Sequence, residues 1–373
     1  MRKRLVDLLL STKKSNRITK NVYKTTYHKN LLISYNVNHF LIKNTAHTNY
    51  YESHIISKFF SELGYNIDVV SFDNPRNFDL THYDVIFGFG LPLEKSFAIN
   101  KSIKRIYYAT GAHVCYQNSA EIQRIQAVNR EKNTFLKPKR IIEWTWSQSS
   151  SMSDALVIIG NEWTQSTYQP YTDSPIYTLN ATSLFYNSSI ILNRDISVTK
   201  QHFLWFGSGG LIHKGLDLCL EFFSKNPHLH LHICGPKEDD FYKVFHDKLH
   251  LNNIHIHGFV QVDSDDFLQI VQQCLFTIMP SCSEGQSTSL LTTMATGLIP
   301  IASKESGKTL NNLGISIETL SLEGIEHSIN AAAMLNDTEL AALTHANRKE
   351  IFLNHTLETF EKQIRHIFSS IEL

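Results

Sequence analysis

The sequence predicts an α/β protein built as two doubly wound domains facing each other across a cleft, and three observations predict it. From residue 31 onward, short apolar runs alternate with helix-period segments, the pattern of a parallel sheet covered by helices. Around residues 186–200 the stretch YNSSIILNRDISVTK replaces that rhythm with polar turn formers. A second series of strand and helix signals then begins. The expected division is a basic N-terminal arm at 1–30, a first domain at 31–185, a linker at 186–200, a second domain at 201–355 and a closing helix at 356–373.

In the first domain, LLISYN (31–36), IDVVSF (67–72), DVIFGF (84–89), RIYYA (105–109) and ALVIIG (155–160) read as buried strands. A helix is expected around 49–63, with Ile55, Ile56, Phe59, Phe60 and Leu63 on one face and a stop at Gly64. In the second domain the strands are FLWFG (203–207), HLHLHICG (228–235), NIHIHGF (253–259), LFTIM (275–279) and LIPIAS (298–303). The tail TLETFEKQIRHIFSSIEL has helical periodicity, with Phe360, Ile364 and Phe368 on one stripe.

Composition sets the outer bounds. A chain of 373 residues with 42% hydrophobic and 11% aromatic content has room for two cores and is neither fibrous nor low-complexity. Lys+Arg and Asp+Glu both number 35, but residues 1–30 hold nine basic residues and one acid, Asp7. The remainder carries 26 basic and 34 acidic residues, which argues against nucleic acid as the main partner. The five cysteines form no CxxC pair, as expected of a reduced cytoplasmic chain. The apolar run Leu8 to Leu10 is too short for a signal peptide, and no stretch approaches the roughly 20 apolar residues of a membrane span. The arm is either a solvated segment or a peripheral contact to an anionic membrane at its inner face, where each basic side chain adds about 1 kcal/mol.

Ligands of open α/β sheets bind beyond the carboxyl ends of the strands, so the chemistry is sought in the loops there. In FLWFGSGGLIHKGLDL a strand enters a loop with Gly207, Ser208, Gly209 and Gly210, followed by Lys214 and Gly215 at a helix start. Glycines let backbone N–H groups approach an anion, the helix end adds partial positive charge and lysine adds a full one, a set that suits a diphosphate. A flexible turn with a solvated lysine is the competing explanation. In MPSCSEGQSTSLLTTMATGLIPIAS a loop carrying Glu284 precedes a helix that begins near Ser287 to Ser289. A carboxylate there can bond sugar hydroxyls while the free N–H groups of the first turn receive phosphate. An ordinary helix cap accounts for the same residues.

The stretch from Phe203 to about Ser306 resembles the donor-binding domain of retaining GT-B glycosyltransferases, the group 1 or family-four type that includes sucrose synthase and bacterial mannosyltransferases. PSCSEGQSTSLLTTMATGLIPI matches that family's Glu-x7-Glu segment at Pro280, Ser281, Glu284, Gly285, Leu291, Met294, Ala295, Gly297 and Pro300. HKGLD matches its diphosphate segment, and the CG and HGFV segments, with Gly235, Phe259 and Val260, stand at suitable distances. The resemblance implies two Rossmann-like doubly wound domains, with Glu284, Gly285, Gln286, Ser287, Thr288 and Ser289 around the donor. Two positions depart from it. Thr292 stands where the family has its second glutamate, and Ser208 where it has an arginine after the first glycine. Threonine offers a ribose one uncharged oxygen, and losing arginine removes a bidentate clamp on phosphate.

In the first domain, YYATGAHVCYQN ends a strand in a loop holding Gly111 and His113. The resemblance implies that His113 lies near the reacting sugar, where one ring nitrogen donates and the other accepts. The resemblance also implies that the loop after LLISYN, with Asn38, His39, His47, Asn49 and Glu52, borders the acceptor cleft; capping of the next helix is the alternative. Arg140, Trp144, Trp146 and Trp163 form a further candidate sugar surface, against core packing. The alternating His228, His230 and His232, with His255 and His257 on a neighbouring strand, stand about 7 Å apart along a strand, a poor fit to one ion, so no metal is expected.

The expected activity is therefore retaining, metal-independent glycosyl transfer from a nucleotide diphosphate sugar to a glycan or lipid-linked acceptor, in surface polysaccharide or glycoconjugate synthesis. His113, Glu284 and Lys214 are the catalytic candidates, and no cofactor is expected beyond the donor substrate. A non-catalytic binding subunit and a nucleotide-sugar epimerase of the same architecture are the alternatives.

Overall fold

The computed structural model describes residues 18–43, 47–99, 102–185, 187, 194–262 and 264–373. Two sheets form, one per domain. The first contains β1 (Ile18–Thr19), β2 (Lys29–Tyr35), β3 (Tyr65–Ser71), β4 (Val85–Gly88), β5 (Lys104–Ala109), β6 (Ala155–Ile159) and β7 (Ile176–Leu179). Their spatial order is β1-β3-β2-β4-β5-β6-β7, all parallel except the two-residue edge strand β1. The second contains β8 (His202–Phe206), β9 (His230–Cys234), β10 (Ile254–Gly258), β11 (Phe276–Met279), β12 (Ile299–Ser303) and β13 (Ile315–Ile317), in the parallel order β10-β9-β8-β11-β12-β13. Every residue of β4, β6, β11 and β12 is buried, which is why these strands read as unbroken apolar runs.

Helices α1 (Thr48–Glu62), α2 (Val114–Lys132), α3 (Leu216–Phe223), α4 (Thr288–Ala295) and α5 (Asp337–Asn354) each follow or brace a strand. The last helix, α6 (Leu357–Ser369), starts at Thr356, whose side chain accepts from the Thr359 N–H. Its buried stripe of Phe360, Ile364, Ile367 and Phe368 turns back onto the first domain, where Phe368 packs 5.4 Å from Phe59 and 4.8 Å from Phe60, ring centre to ring centre. A continuous apolar cluster joins this region through Phe185 to Phe267 and Leu290 of the second domain.

The structure redraws two boundaries. Residues 18–30, assigned to the basic arm, belong to the first domain: β1 pairs with β3, the Asn21 N–H donates to Asp68 at 2.7 Å and Tyr23 bonds Ser57 at 2.8 Å. Residues 186 and 188–193 of the linker, like residues 1–17, lie outside the described residues, but Arg194 to Lys200 belong to the second domain, where Arg194 donates to the carbonyls of Val271 and Thr296. Leu63, expected on the buried face of α1, is 46% exposed because the helix ends at Glu62. The short strands β1, β7 and β13 are too brief and too mixed in polarity to give a periodic signal.

Candidate active site at the domain cleft

The carboxyl ends of the two sheets border a cleft of about 660 Å³. Lining it are the expected Gly207, Ser208, Gly209, Lys214, Gly235, Phe259, Val260, Glu284, Gln286, Ser287, Thr288 and Ser289 of the second domain, with His47 and Asn49 of the first. A second cavity of about 280 Å³ opens beside it, lined among others by Gly111 and Gly285, and shares Thr110, Arg140 and Glu284 with the first. Gly285 is a place of close backbone approach. A Cβ there would meet the carbonyl oxygens of Ile159 and Thr110 at 2.6 and 2.7 Å, so only glycine lets the domains touch.

Lys214 emerges just before α3 and donates from Nζ to the Glu284 carboxylate, which also accepts from Ser281 at 3.0 Å. Burial alone would raise the Glu284 pKa, but the charges of Lys214, Arg140 and His213 outweigh it and hold the carboxyl at about 2. Ser287 caps α4, its side chain accepting from the Leu290 N–H. The N–H groups of Thr288 and Ser289 at the head of α4, and those of Ser208 and Gly209, have no protein acceptor among the described residues. A lysine and two clusters of unsatisfied N–H groups thus face one cavity, the arrangement that binds a polyanion.

Four expected site residues are otherwise engaged. His113 is fully buried at the N-cap of α2, where Nδ1 accepts from the Cys115 N–H at 3.3 Å and the ring stacks on Tyr171 at 4.0 Å. Burial pushes its pKa down to about 4, its Nε2 has no hydrogen-bond partner among the described residues, and it lines neither cavity. Thr292 is also fully buried, donating to the Thr288 carbonyl at 2.7 Å and accepting from the Leu184 N–H at 3.2 Å, so no surface remains for a ribose. The Gly210 N–H already donates to Glu238 at 2.6 Å. Gln286 lines the cleft but uses its amide internally, accepting from the Ala181 N–H at 2.7 Å and donating to the Gly307 carbonyl at 3.2 Å.

The candidate sugar surface separates in the same way. Arg140 lines both cavities, whereas Trp144 is 65% exposed outside them, Trp146 packs on Phe72 and Phe89, and Trp163 meets Tyr116 edge-on. The strand histidines bond one another: His257 to His232 at 3.1 Å, His232 to His202 at 2.9 Å and His230 to His255 at 3.0 Å.

Two contributors escaped sequence reading. Glu121 on α2 accepts from the N–H groups of Lys139 and Arg140 with one oxygen and meets His213 Nδ1 at 2.9 Å with the other. Nε2 of His213 meets the Ser283 carbonyl, so this ring anchors both loops that carry Lys214 and Glu284. Cys282 Sγ lies 3.5 Å from the same Nδ1, and Glu121, His213 and Cys282 are the one group among the described residues with three ligand-type atoms within 4.8 Å of one another. Glu52, at the first-domain wall, accepts from the Thr182 N–H and hydroxyl at 3.2 and 2.9 Å, and burial raises its pKa. His213 could have been noticed beside Lys214; nothing local marks Glu121, which only chain packing brings here, whereas Glu52 stands in the loop expected at the acceptor side.

Residues 195–310 match the family described as Glycosyl transferases group 1. No curated protein sequence matches the chain. Among solved structures, a mutant of TarM from S. aureus in complex with fondaparinux, alpha-GlcNAc-glycerol and UDP is similar with a TM-score of 0.53 at 16% identity, over 76% of this chain and 55% of that one. The chain therefore spans about half the length of TarM. HepE of Anabaena, in complex with UDP and glucose, gives 0.58 at 12% identity over 92% and 100% of the two chains. Sucrose-phosphate synthase from Thermosynechococcus elongatus gives 0.63 at 10% identity over 92% and 98%. The fold is GT-B, and the second domain, over residues 195–310, is that of the group 1 glycosyl transferases.

Proposed function

We propose that the chain transfers a sugar from a nucleoside diphosphate sugar to an acceptor hydroxyl, with retention at the anomeric carbon and without a protein-bound metal, in the synthesis of a glycan or glycoconjugate. The observation that carries this reading is the convergence of Lys214 with the unsatisfied N–H groups of Ser208, Gly209, Thr288 and Ser289 on one cleft, beside Glu284. The chemical demand is stabilisation of charge on the departing diphosphate, which preorganised N–H groups and a lysine meet. Glu284, ionised over the whole neutral range, accepts from sugar hydroxyls and orients the donor. The departing phosphate itself takes the acceptor proton, so no side chain is assigned as general base. His47 and Asn49, on the first-domain lip, face the acceptor side.

UDP in the TarM and HepE structures makes UDP-linked sugars the first donors to test. Transfer and donor hydrolysis are measured across UDP-, GDP-, ADP- and CMP-linked sugars with glycan acceptors. Turnover that Lys214→Ala lowers by about 100-fold or more supports the reading, a loss typical of removing one charge-stabilising donor. Nucleotide binding with no turnover on any donor favours the non-catalytic subunit instead, the reading that Ser208 and the buried Thr292 recommend. Peripheral contact with an anionic membrane is proposed for the basic N-terminal segment. Equal co-sedimentation with anionic vesicles by the chain with and without residues 1–17 rejects it.

A further inference from the structure

The second domain alone is short of positive charge where a diphosphate would lie. Its one lysine in the cleft, Lys214, is shared with the Glu284 carboxylate, and the loop that enters α3 offers Ser208, a neutral and exposed side chain, beside Gly207 and Gly209. A diphosphate ester brings about two negative charges, which one shared lysine does not balance.

The missing cation is present on the opposite wall. Arg140 of the first domain lines the cleft together with Gly207, Ser208, Gly209 and Lys214. Its stem lies directly on the glycine loop: a Cβ on Gly210 would meet Arg140 Cγ at 2.7 Å and Cδ at 3.0 Å, so this glycine, with φ of +87°, is what admits the arginine. The Arg140 backbone is fixed at both ends, its N–H by Glu121 at 3.2 Å and its carbonyl by Gln117 at 2.8 Å. Its guanidinium has no hydrogen bond or ion pair with the protein among the described residues, although its charge, like that of Lys214, acts on the Glu284 carboxylate. An arginine held by its backbone and stem while its five donors stay unused is a preorganised anion clamp.

We infer that Arg140 is the second cation of the diphosphate subsite, supplied by the first domain in place of a basic residue at position 208, so that the subsite is complete only while the two domains are apposed. This rests on the donor-binding reading above and adds a consequence to it. Because Glu121 holds both the Arg140 backbone and His213, the residue preceding Lys214, one buried carboxylate aligns the two cations that reach the cleft from opposite domains.

The test compares the wild-type chain, Arg140→Ala, Arg140→Lys and the double variant Arg140→Ala/Ser208→Arg by calorimetric titration with UDP, GDP and ADP and with the corresponding monophosphate of whichever binds. Arg140→Ala is expected to weaken the diphosphate by about tenfold or more and the monophosphate by clearly less, since the second phosphate brings the charge that Lys214 alone does not balance. Arg140→Lys is expected to fall between wild type and Arg140→Ala, because lysine keeps the charge but not the fork. Ser208→Arg on the Arg140→Ala background is expected to recover most of the loss, an outcome that general damage to the cleft cannot produce. Unchanged diphosphate affinity in Arg140→Ala, or equal losses for diphosphate and monophosphate without rescue by Ser208→Arg, overturns the inference alone. Failure of the wild-type chain to bind any of the three diphosphates overturns the donor-binding reading and this inference with it. Melting curves of all four proteins report whether each variant is folded.

Discussion

Glu121 on α2 and His213 at the entrance to α3 meet at 2.9 Å across the domain boundary, both fully buried, and among the described residues neither has another ion-pair partner. This pair couples the segment carrying Arg140 to the loop carrying Lys214. Around it the Arg124–Asp217 and Lys132–Glu221 ion pairs and the Thr164 hydroxyl, which donates to the Gly285 carbonyl at 2.7 Å, tie the same two domains.

Truncating one member of a buried pair leaves the other unpaired, so Glu121→Ala is expected to lower stability by about 3 to 5 kcal/mol. Glu121→Gln keeps an acceptor for the Lys139 and Arg140 N–H groups but loses the charge, and should weaken nucleoside diphosphate binding more than it lowers the melting temperature. Burial raises the Glu121 pKa, but the bonds from His213, Lys139 and Arg140 outweigh it and leave the carboxyl below its ordinary value. Its stabilising contribution is therefore present at neutral pH and is lost as pH falls from the ordinary carboxylate range through the lower folded value. Acid unfolding curves of wild type and Glu121→Gln should converge at low pH; parallel curves would reject the assignment.

His113 should behave as a cap and core residue. His113→Phe keeps the ring on Tyr171 and loses the acceptor for the Cys115 N–H, at a cost of about 1 kcal/mol. Transfer rates should change by less than about threefold, a difference below about 1 kcal/mol. A fall of about 100-fold at unchanged melting temperature would return His113 to the reacting centre.

Thr292→Glu should not restore a ribose contact. The site is closed, so the longer side chain overpacks it and buries a charge, at a cost of about 3 kcal/mol or more, with no gain in donor affinity. Thr292→Val, which leaves the Leu184 N–H without its acceptor, should cost about 1 to 2 kcal/mol. Tighter nucleotide binding by Thr292→Glu in a titration would contradict the buried placement.

The linked histidines of β8, β9 and β10 should make the fold acid-sensitive. Burial, reinforced by neighbouring histidines, lowers the pKa of His202 to about 4 and of His232 to about 3. The unfolded chain therefore takes up protons first, and stability falls as pH drops from the ordinary histidine value of about 6.5 toward the folded values. Above about pH 7 these groups contribute no pH dependence. Melting temperatures of wild type and His232→Phe between about pH 4 and 8 check this: the variant should show the shallower acid fall, and equal slopes would exclude the ladder as the cause.

Much of the scaffold was legible because buried parallel strands announce themselves. FLWFG, LFTIM and LIPIAS are continuous apolar runs set between turn formers, and the amphipathic stripe of α6 marks a helix that must cover something. The glycine loop with Lys214 and the Glu284 segment were legible for a related reason: their residues are close in sequence, and strand-to-helix geometry alone places them at the carboxyl edge of the sheet.

The partners from the other domain were not. Arg140 looked like one member of an aromatic and basic surface, and only packing separates it from Trp144 and sets it on Gly210. Glu121 is an ordinary acid on a helix until α2 meets the loop before α3. His113 and Thr292 fail in the opposite sense. Each occupies a sequence position that faces a cleft by analogy, yet Tyr171 covers one and the Leu184 backbone closes over the other. The sequence by itself determined two doubly wound domains and the gathering of the glycine loop, Lys214 and Glu284 at the carboxyl edge of the second, because backbone pattern and local spacing suffice for both. Which side chains of the first domain meet that edge was decided by tertiary structure alone, because burial and charge pairing depend on contacts between residues far apart in the chain, such as Glu121 with His213 and Arg140 with Gly210.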